Sequence, residues 1–295
     1  MRLDKLKTIL EKRDTDYCII FNRSNITYFT DFNAGLALSI SKDETTLYVP
    51  RLEYDRALEE LKGDINIAIK DWDEIERIMR AIKISEKAFS ELLSYDLENL
   101  SERKIAAIIY KLILDYGGDD VAFKPIIASG SNTHKPHHEF SDRVVKRGDV
   151  LIIDFGTKYR NYCSDLTRTL CLGYIDGRVK DMYYAVLEAQ KEAIKSVRHG
   201  IEASRIDEIA RQVLREYGLH DHFIHGLGHG VGINIHEKPS INPCSEDILQ
   251  EGNIITIEPG IYIRDNLGVR VEDMVLVEKS LGKVLTSLPR DVLLL

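Results

Sequence analysis

Several features that would each assign this chain to a class are missing from it. No run among its 295 residues approaches the ~20 consecutive apolar residues of a membrane-spanning helix, so no membrane partner is expected. Only four cysteines occur (Cys18, Cys163, Cys171 and Cys244), far apart and without a CxxC pair. That fits a reducing, cytoplasmic setting better than a disulfide framework or a Cys-ligated zinc site, with all four expected as packing residues and Cys163 the one to watch. Positive charge is not in excess either: 40 Lys+Arg against 48 Asp+Glu leave a net charge of −8, which argues against a general hold on nucleic acid or anionic membrane. The N-terminal MRLDKLKTILEKRDTD is charged throughout and reads as neither signal peptide nor anchor. No low-complexity stretch or short tandem repeat is present.

What remains is an ordinary globular mixture, 44% hydrophobic and 30% charged, long enough for two domains. Apolar periodicity predicts a helix over 3–10, strands over 17–21, 36–40 and 46–49, a helix over 52–61 and a strand over 65–69. This is a compact α/β unit of about 70 residues. The pattern changes at Asp71, where Asp71 and Glu74 form a capping box and Trp72, Ile75, Met79, Ile82, Phe89 and Leu93 recur at helical spacing. A second domain, 71–295, is expected from there. It contains helices over 101–116, 179–197 and 204–217 and strand-like runs over 150–154, 161–170, 253–258 and 268–277, an α+β arrangement of helix pairs and strands; composition alone does not establish a likeness between its two halves.

Carboxylates interrupt its apolar runs: Asp154 in LIIDFGT, Glu258 in IITIEPGIY and Glu272 in VRVEDMVLV. A buried carboxylate must be paired or bound to a cation, because desolvation otherwise costs several kcal/mol. Asp165, in NYCSDLTRTL, follows Asp154 by eleven residues, across what reads as a hairpin. Any one of these could be a turn cap or a salt bridge. The histidines sharpen the case, since six of the nine fall in two stretches: His134, His137 and His138 in SNTHKPHHEF, and His225, His229 and His236 in HGLGHGVGINIHE. Gly226, Gly228, Gly230 and Gly232 make the second stretch loop or strand, with close backbone approach to a site.

Four carboxylates with one imidazole suit Mn²⁺, Co²⁺ or Fe²⁺ better than a structural zinc. Four negative charges exceed what one divalent ion neutralises, whereas two ions held by bridging carboxylates balance them and can activate a water and polarise a carbonyl. Hydrolysis of an amide is the chemistry that follows.

These residues resemble the pita-bread metallopeptidases, the family that includes Xaa-Pro dipeptidase (prolidase), aminopeptidase P and methionine aminopeptidase. The likeness lies in Asp154 of IIDFGT, Asp165 of CSDLTRT, His229 of GLGHGVG, Glu258 of TIEPGIY and Glu272 of GVRVEDM, matching in order, spacing and flanking residues. It covers 71 to the C-terminus closely and the first 70 residues, a reduced creatinase-like N-terminal α/β domain, more loosely.

The resemblance implies that these five residues bind two divalent ions, Mn²⁺ or Co²⁺ first, with Fe²⁺ and Zn²⁺ as the other choices. Asp154 is then bidentate to one ion, and Asp165 and Glu272 bridge. It also implies that His137 and His236 hydrogen-bond substrate and tetrahedral intermediate, that Glu258 handles the water proton, and that His225 shapes the pocket after the scissile bond. His134 and His138 read as surface residues. Arg270 lies two before Glu272 in a strand-like run, hence on the same face, where it can pair with a carboxylate ligand or reach substrate. The GVRVED form and the N-terminal domain resemble the proline-specific members rather than methionine aminopeptidases. The expected activity is therefore that of a prolidase acting on small Xaa-Pro peptides, a homodimer by resemblance to dimeric prolidases. The alternatives are aminopeptidase P activity on longer Xaa-Pro-Yaa peptides or a non-peptidase binding module, the latter disfavoured because all five ligands are present. The chain departs from the pattern in its short N-terminal part and in SGSNTHKPHH, which replaces the more usual residues before the PH pair.

Overall fold

The computed structural model describes residues 71–174, 176–290 and 293–294, and before them 7–8, 17–20, 23–30, 32, 35, 37–41, 45–49, 56–57 and 66–69. It divides into two units, Met1–Ile75 and Glu76–Leu295.

In the first unit, β1 (Tyr17–Ile20), β2 (Ala37–Ser41), β3 (Thr45–Val49) and β4 (Asn66–Ile69) form one sheet in that order. β1, β2 and β3 pair antiparallel and β4 joins β3 in parallel. Leu38 and Ile40 of β2 and Leu47 and Val49 of β3 are buried with Ile26, Phe32 and Ala57. The helix Arg23–Thr30 was not legible from sequence. Its RSNITYFT sequence contains mostly weak helix formers, and the burial of Ile26 carries it instead. The expected helix over 3–10 is described only at 7–8 and that over 52–61 only at 56–57, helical in both cases; the rest lies outside the described residues.

The second unit begins within the helix Asp71–Leu92, followed by Glu102–Asp115. Ser101 caps the latter by accepting from the Lys104 N–H at 3.2 Å. Then come β5 (Asp120–Val121), β6 (Ile126–Ser129), β7 (Val150–Asp154), β8 (Thr157–Tyr159), β9 (Tyr162–Cys163) and β10 (Thr167–Cys171). The second helix pair is Gly177–Ser196 and Ala203–Glu216, the latter burying Ile206, Ala210 and Leu214 at four-residue spacing. Finally come β11 (Gly228–Gly230), β12 (Glu237–Ile241), β13 (Ile254–Ile257), β14 (Gly260–Tyr262), β15 (Gly268–Arg270), β16 (Asp273–Leu276), β17 (Lys283–Val284) and β18 (Leu293–Leu294).

Two larger sheets result, ordered β18-β10-β7-β6 and β12-β11-β13-β16-β17, with smaller sheets β14-β15 and β5-β8-β9. Residues 84–113 of the first helix pair share a core with β6, β7 and β10, whereas the second pair shares one with β13 to β16. All residues of β7 and of β13 are buried, as expected of central strands covered on both faces. The expected strand over 161–170 is two strands interrupted at 164–166, and that over 268–277 is two interrupted at Val271 and Glu272. Both interruptions carry a carboxylate of interest, Asp165 in one and Glu272 in the other. Cys163 and Cys171 are buried, but Cys244 is exposed, so it does not pack as expected: it lies two residues after Asn242, whose side-chain oxygen accepts from the Cys244 N–H in a polar turn.

Candidate metal centre

Each of the two larger sheets delivers carboxylates at a strand end. Asp154 is the last residue of β7, paired with Thr167 of β10 on one side and Ile126 of β6 on the other. Glu258 is the first residue beyond β13, held by its N–H donating to the Leu227 carbonyl at 2.8 Å. Glu272 sits between β15 and β16, its N–H donating to the Thr167 carbonyl at 3.2 Å, which ties the second sheet to the first. Asp165 lies between β9 and β10. His229 is the middle residue of β11, a strand squeezed between β12 and β13. The flanking glycines are needed there because a Cβ on Gly228 would run into the Thr256 carbonyl and one on Gly230 into that of Lys238.

All nine residues singled out from sequence line a single cavity of about 350 Å³: Asp154, Asp165, His229, Glu258, Glu272, His137, His225, His236 and Arg270. Asp165, His229 and Glu272 bring ligand atoms within 4.8 Å of one another. His229 Nε2 is 3.6 Å from Asp165 Oδ2 and 3.4 Å from Glu258 Oε1. Its Nδ1 lies 3.0 Å from the Gly230 carbonyl, so Nδ1–H donates there and Nε2 faces the carboxylates. Arg270 Nη2 donates to Asp154 Oδ2 at 2.6 Å. The Glu272 carboxylate is oriented by Thr167, whose hydroxyl donates to Oε2 at 2.7 Å.

Two buried carboxylate oxygens, Asp154 Oδ1 and Glu272 Oε1, have no hydrogen-bond partner. A buried anionic oxygen that no protein donor reaches is costly unless a cation sits against it, and a divalent ion fits this donor set of carboxylates and one imidazole. The electrostatics agree. Burial pushes Asp154, Asp165 and Glu272 above the ordinary carboxylate range, and the crowding of like charges drives Asp165 and Glu272 well above it. Burial would also lower His229, but its hydrogen bond to Glu258 and the charges of Glu258 and Asp165 outweigh that and lift it to about 9. Glu258 goes the other way: despite burial, the same pairing lowers it.

The other histidines form walls. His236 stacks edge-on to His229 with ring centroids 4.3 Å apart, and burial with the neighbouring His229 charge lowers its pKa. His225 is lowered chiefly by burial. Its Nδ1 is 2.7 Å from the Gly226 carbonyl and its Nε2 is 3.0 Å from the Tyr262 hydroxyl, so both ring nitrogens are engaged and the ring presents a surface. His137 is exposed at the cavity edge.

Several supporting residues were not found by reading the sequence. Tyr262 accepts from Arg270 Nη1 at 2.6 Å and reaches His225; burial raises its hydroxyl to about 12, keeping it protonated. Arg270 contacts the Asp154 carboxylate. Asp207 and Arg211 are paired at 2.6 Å and hold the segment before β11: Arg211 donates to the Phe223 and His225 carbonyls and Asp207 accepts from the Leu227 N–H. Their i, i+4 spacing on a predicted helix was the available signal, but it is shared by any surface ion pair. His138, expected at the surface, is buried with Nε2 2.8 Å from Glu102 Oε2. A buried carboxylate at the start of the preceding helix draws it inward. Burial raises the Glu102 pKa, but hydrogen bonds from Asn132, Ser141, His138 and Ser129 together bring it down to about 2.

Residues 76–279 match metallopeptidase family M24, and residues 2–108 match the creatinase/prolidase N-terminal domain. The chain is 36% identical to a Xaa-Pro dipeptidase of Pyrococcus furiosus over 346 aligned positions, covering 99% of both chains. Among solved structures, the X-Pro aminopeptidase from Thermotoga maritima MSB8 superposes with a TM-score of 0.79 at 31% identity, covering 95% of this chain and 97% of that one. The prolidase from Pyrococcus furiosus does so with a TM-score of 0.75 at 34% identity, covering 96% and 99%.

Proposed function

The chain belongs to metallopeptidase family M24 and carries a creatinase/prolidase N-terminal domain, and from that premise we propose that it hydrolyses the peptide bond before proline in Xaa-Pro dipeptides. The observation that carries this reading is the cavity in which four carboxylates and His229 converge while Asp154 Oδ1 and Glu272 Oε1 lack partners. The relatedness to Xaa-Pro dipeptidases over the full length of both chains supports the substrate class.

Membership of the family implies a divalent metal. In our reading Asp154, Asp165, His229, Glu258 and Glu272 hold two such ions, Mn²⁺ or Co²⁺ before Fe²⁺ or Zn²⁺, which when bound supply Lewis acidity toward the scissile carbonyl and lower the pKa of a water. The protein's own groups do the rest. Arg270 and Thr167 fix the orientation of the Asp154 and Glu272 carboxylates. Glu258 takes the proton released as water oxygen bonds to the carbonyl carbon and returns it to the departing proline nitrogen, leaving a carboxylic acid and a secondary amine. His236 and His137 donate hydrogen bonds to the carbonyl oxygen as charge develops on it. His225 offers its ring as one wall for the proline ring, which has no N–H to be recognised.

We further assign 1–70 to a reduced N-terminal domain and 71–295 to the catalytic domain. The alignment with the Pyrococcus furiosus dipeptidase runs over 346 positions against 295 residues here, so at least 51 positions have no counterpart in this chain. The homodimer and the cytoplasmic setting stay part of the proposal, resting on resemblance and cysteine usage. Among the described residues no helix is long and apolar enough to cross a membrane.

One observation favours a second reading, aminopeptidase P activity on Xaa-Pro-Yaa peptides. Among the described residues lining the cavity the single arginine or lysine is Arg270, and its guanidinium is engaged with Asp154, Tyr262 and the Pro136 carbonyl. A dipeptide places its free carboxylate next to the scissile bond and gains from a cation there; a longer peptide does not. The decisive experiment restores Mn²⁺ or Co²⁺ to metal-depleted protein and compares Xaa-Pro, Xaa-Pro-Yaa and Met-Ala peptides. Hydrolysis of Xaa-Pro dipeptides supports the first reading, cleavage restricted to tripeptides the second, and metal-independent hydrolysis neither.

A further inference from the structure

Glu102 is fully buried at the first position of the helix Glu102–Asp115, outside the metal-binding cavity, and its carboxylate accepts six hydrogen bonds. Oε1 receives the Ser129 N–H at 2.9 Å, the Ser129 hydroxyl at 2.7 Å and Asn132 Nδ2 at 3.0 Å. Oε2 receives His138 Nε2 at 2.8 Å, the Ser141 N–H at 2.9 Å and the Ser141 hydroxyl at 2.7 Å. Every donor comes from one segment, 129–141. A buried carboxylate with this many donors is strongly held as an anion and in turn holds its donors in place.

The other side of that segment touches the active centre. His137, next to the buried His138, lines the cavity. The Pro136 carbonyl accepts from Arg270 Nη1 at 3.2 Å, and Thr133 Oγ1 accepts from the Gly268 N–H at 2.9 Å. The segment is thus pinned at Ser129, Asn132, His138 and Ser141 by a single carboxylate, with Pro136 and His137 carried between the pins.

We propose that Glu102 is a positioning residue for His137: by gathering 129–141 around one buried carboxylate it fixes the backbone from which His137 reaches substrate. This rests on the reading of His137 as a substrate-facing group. An ordinary packing residue would not need six convergent donors, and a neutral isostere would turn an NH₂ group against some of them. The consequence is specific. Loss of the carboxylate should loosen this one segment and slow turnover through His137, without removing metal.

The experiment compares full-length Glu102→Gln, Ser141→Ala and His137→Ala with the double variant Glu102→Gln/His137→Ala, all loaded with Mn²⁺. Metal content, kcat and KM on an Xaa-Pro dipeptide, and amide hydrogen exchange are measured. Glu102→Gln should keep its metal, lose about tenfold or more in kcat and change KM by less than about twofold. In the His137→Ala background the same substitution should change kcat by less than about twofold, because the two act as one unit. Exchange across 129–141 should accelerate by about tenfold while the helix Ala203–Glu216 is unchanged. Full multiplicative loss in the double variant, or exchange that rises everywhere together, would overturn the proposal. If Glu102→Gln does not fold, Ser141→Ala and its own double variant with His137→Ala decide the matter by the same criteria. If the wild-type protein cleaves no Xaa-Pro peptide, the peptidase reading fails by itself and the exchange pattern still accepts or rejects Glu102.

Discussion

Arg270 donates to one oxygen of Asp154 at 2.6 Å and leaves the other, Oδ1, without a partner. The guanidinium thereby sets which lone pairs of the carboxylate face the cavity, a task that needs its rigid fork as well as its charge. Replacing Arg270 with lysine keeps the charge and loses the simultaneous bonds to Asp154, Tyr262 and Pro136. Arg270→Lys is expected to lower kcat/KM by about 10–100-fold, the usual cost of losing a partner behind a metal ligand. Steady-state kinetics at saturating metal checks this, and a wild-type rate would mean that Asp154 is oriented without Arg270.

Asp165 lies within 4.8 Å of both His229 and Glu272 through its ligand oxygen, the position expected of a bridging group. Asp165→Asn removes that charge with little change in volume. Activity should fall by about 100-fold or more and bound metal should drop by about one equivalent, while circular dichroism stays unchanged. Metal analysis beside the assay separates this from misfolding.

His236 and His137 are assigned hydrogen-bonding roles rather than ligation. Alanine at either position should lower turnover by about 10–1,000-fold while two equivalents of metal are retained. Loss of metal in proportion to activity would make that histidine a ligand instead.

The carboxyls of Asp154, Asp165 and Glu272 are raised by burial and mutual repulsion, and His229 is raised to about 9 by its acidic neighbours. The sign follows from His229: raised to about 9, it holds a proton at neutral pH in the metal-free protein and must release it when a divalent ion arrives, and the upward shift of the carboxyls acts in the same direction. Metal uptake should therefore release protons near neutral pH and weaken as pH falls. Titration calorimetry in buffers of different ionisation enthalpy measures the number released. A buffer-independent heat would show that no proton leaves.

Proline specificity depends on shape, because the residue after the scissile bond offers no N–H. With His225 as one wall, Xaa-Pro dipeptides should exceed matched Xaa-Ala dipeptides by at least about tenfold in kcat/KM, roughly 1.4 kcal/mol in transition-state binding. Equal rates would remove the proline specificity and leave the metallopeptidase assignment standing.

The chemistry of this site was more legible than its scaffolding. Asp154, Glu258 and Glu272 announced themselves because a carboxylate inside an apolar run is conspicuous, and the glycines around His229 mark a strand crowded on both sides. The breaks at 164–166 and at Val271 and Glu272 were hidden within runs that kept their strand-like composition on either side. Tyr262 looked like any strand aromatic, and only its place on β14, paired with Gly268 of β15, brings its hydroxyl between His225 and Arg270. Glu102 and His138 are 36 residues apart and form their pair only after the helix and the 129–141 segment have docked. Such long-range partnerships leave no periodic trace in a sequence.

Asp154 ends a strand of one large sheet, whereas Glu258 follows a strand of the other. A cation held by carboxylates from both sheets, as Asp165 beside β10 and Glu272 beside β16 would hold it, would be a fastener as well as a reagent, a common ligand to which each half contributes part of the shell. Its binding energy adds to the free energy of unfolding by mass action, so holding the ion at about 100 times its dissociation constant contributes about 2.7 kcal/mol. The durability of the fold would then track metal supply as well as the reaction does.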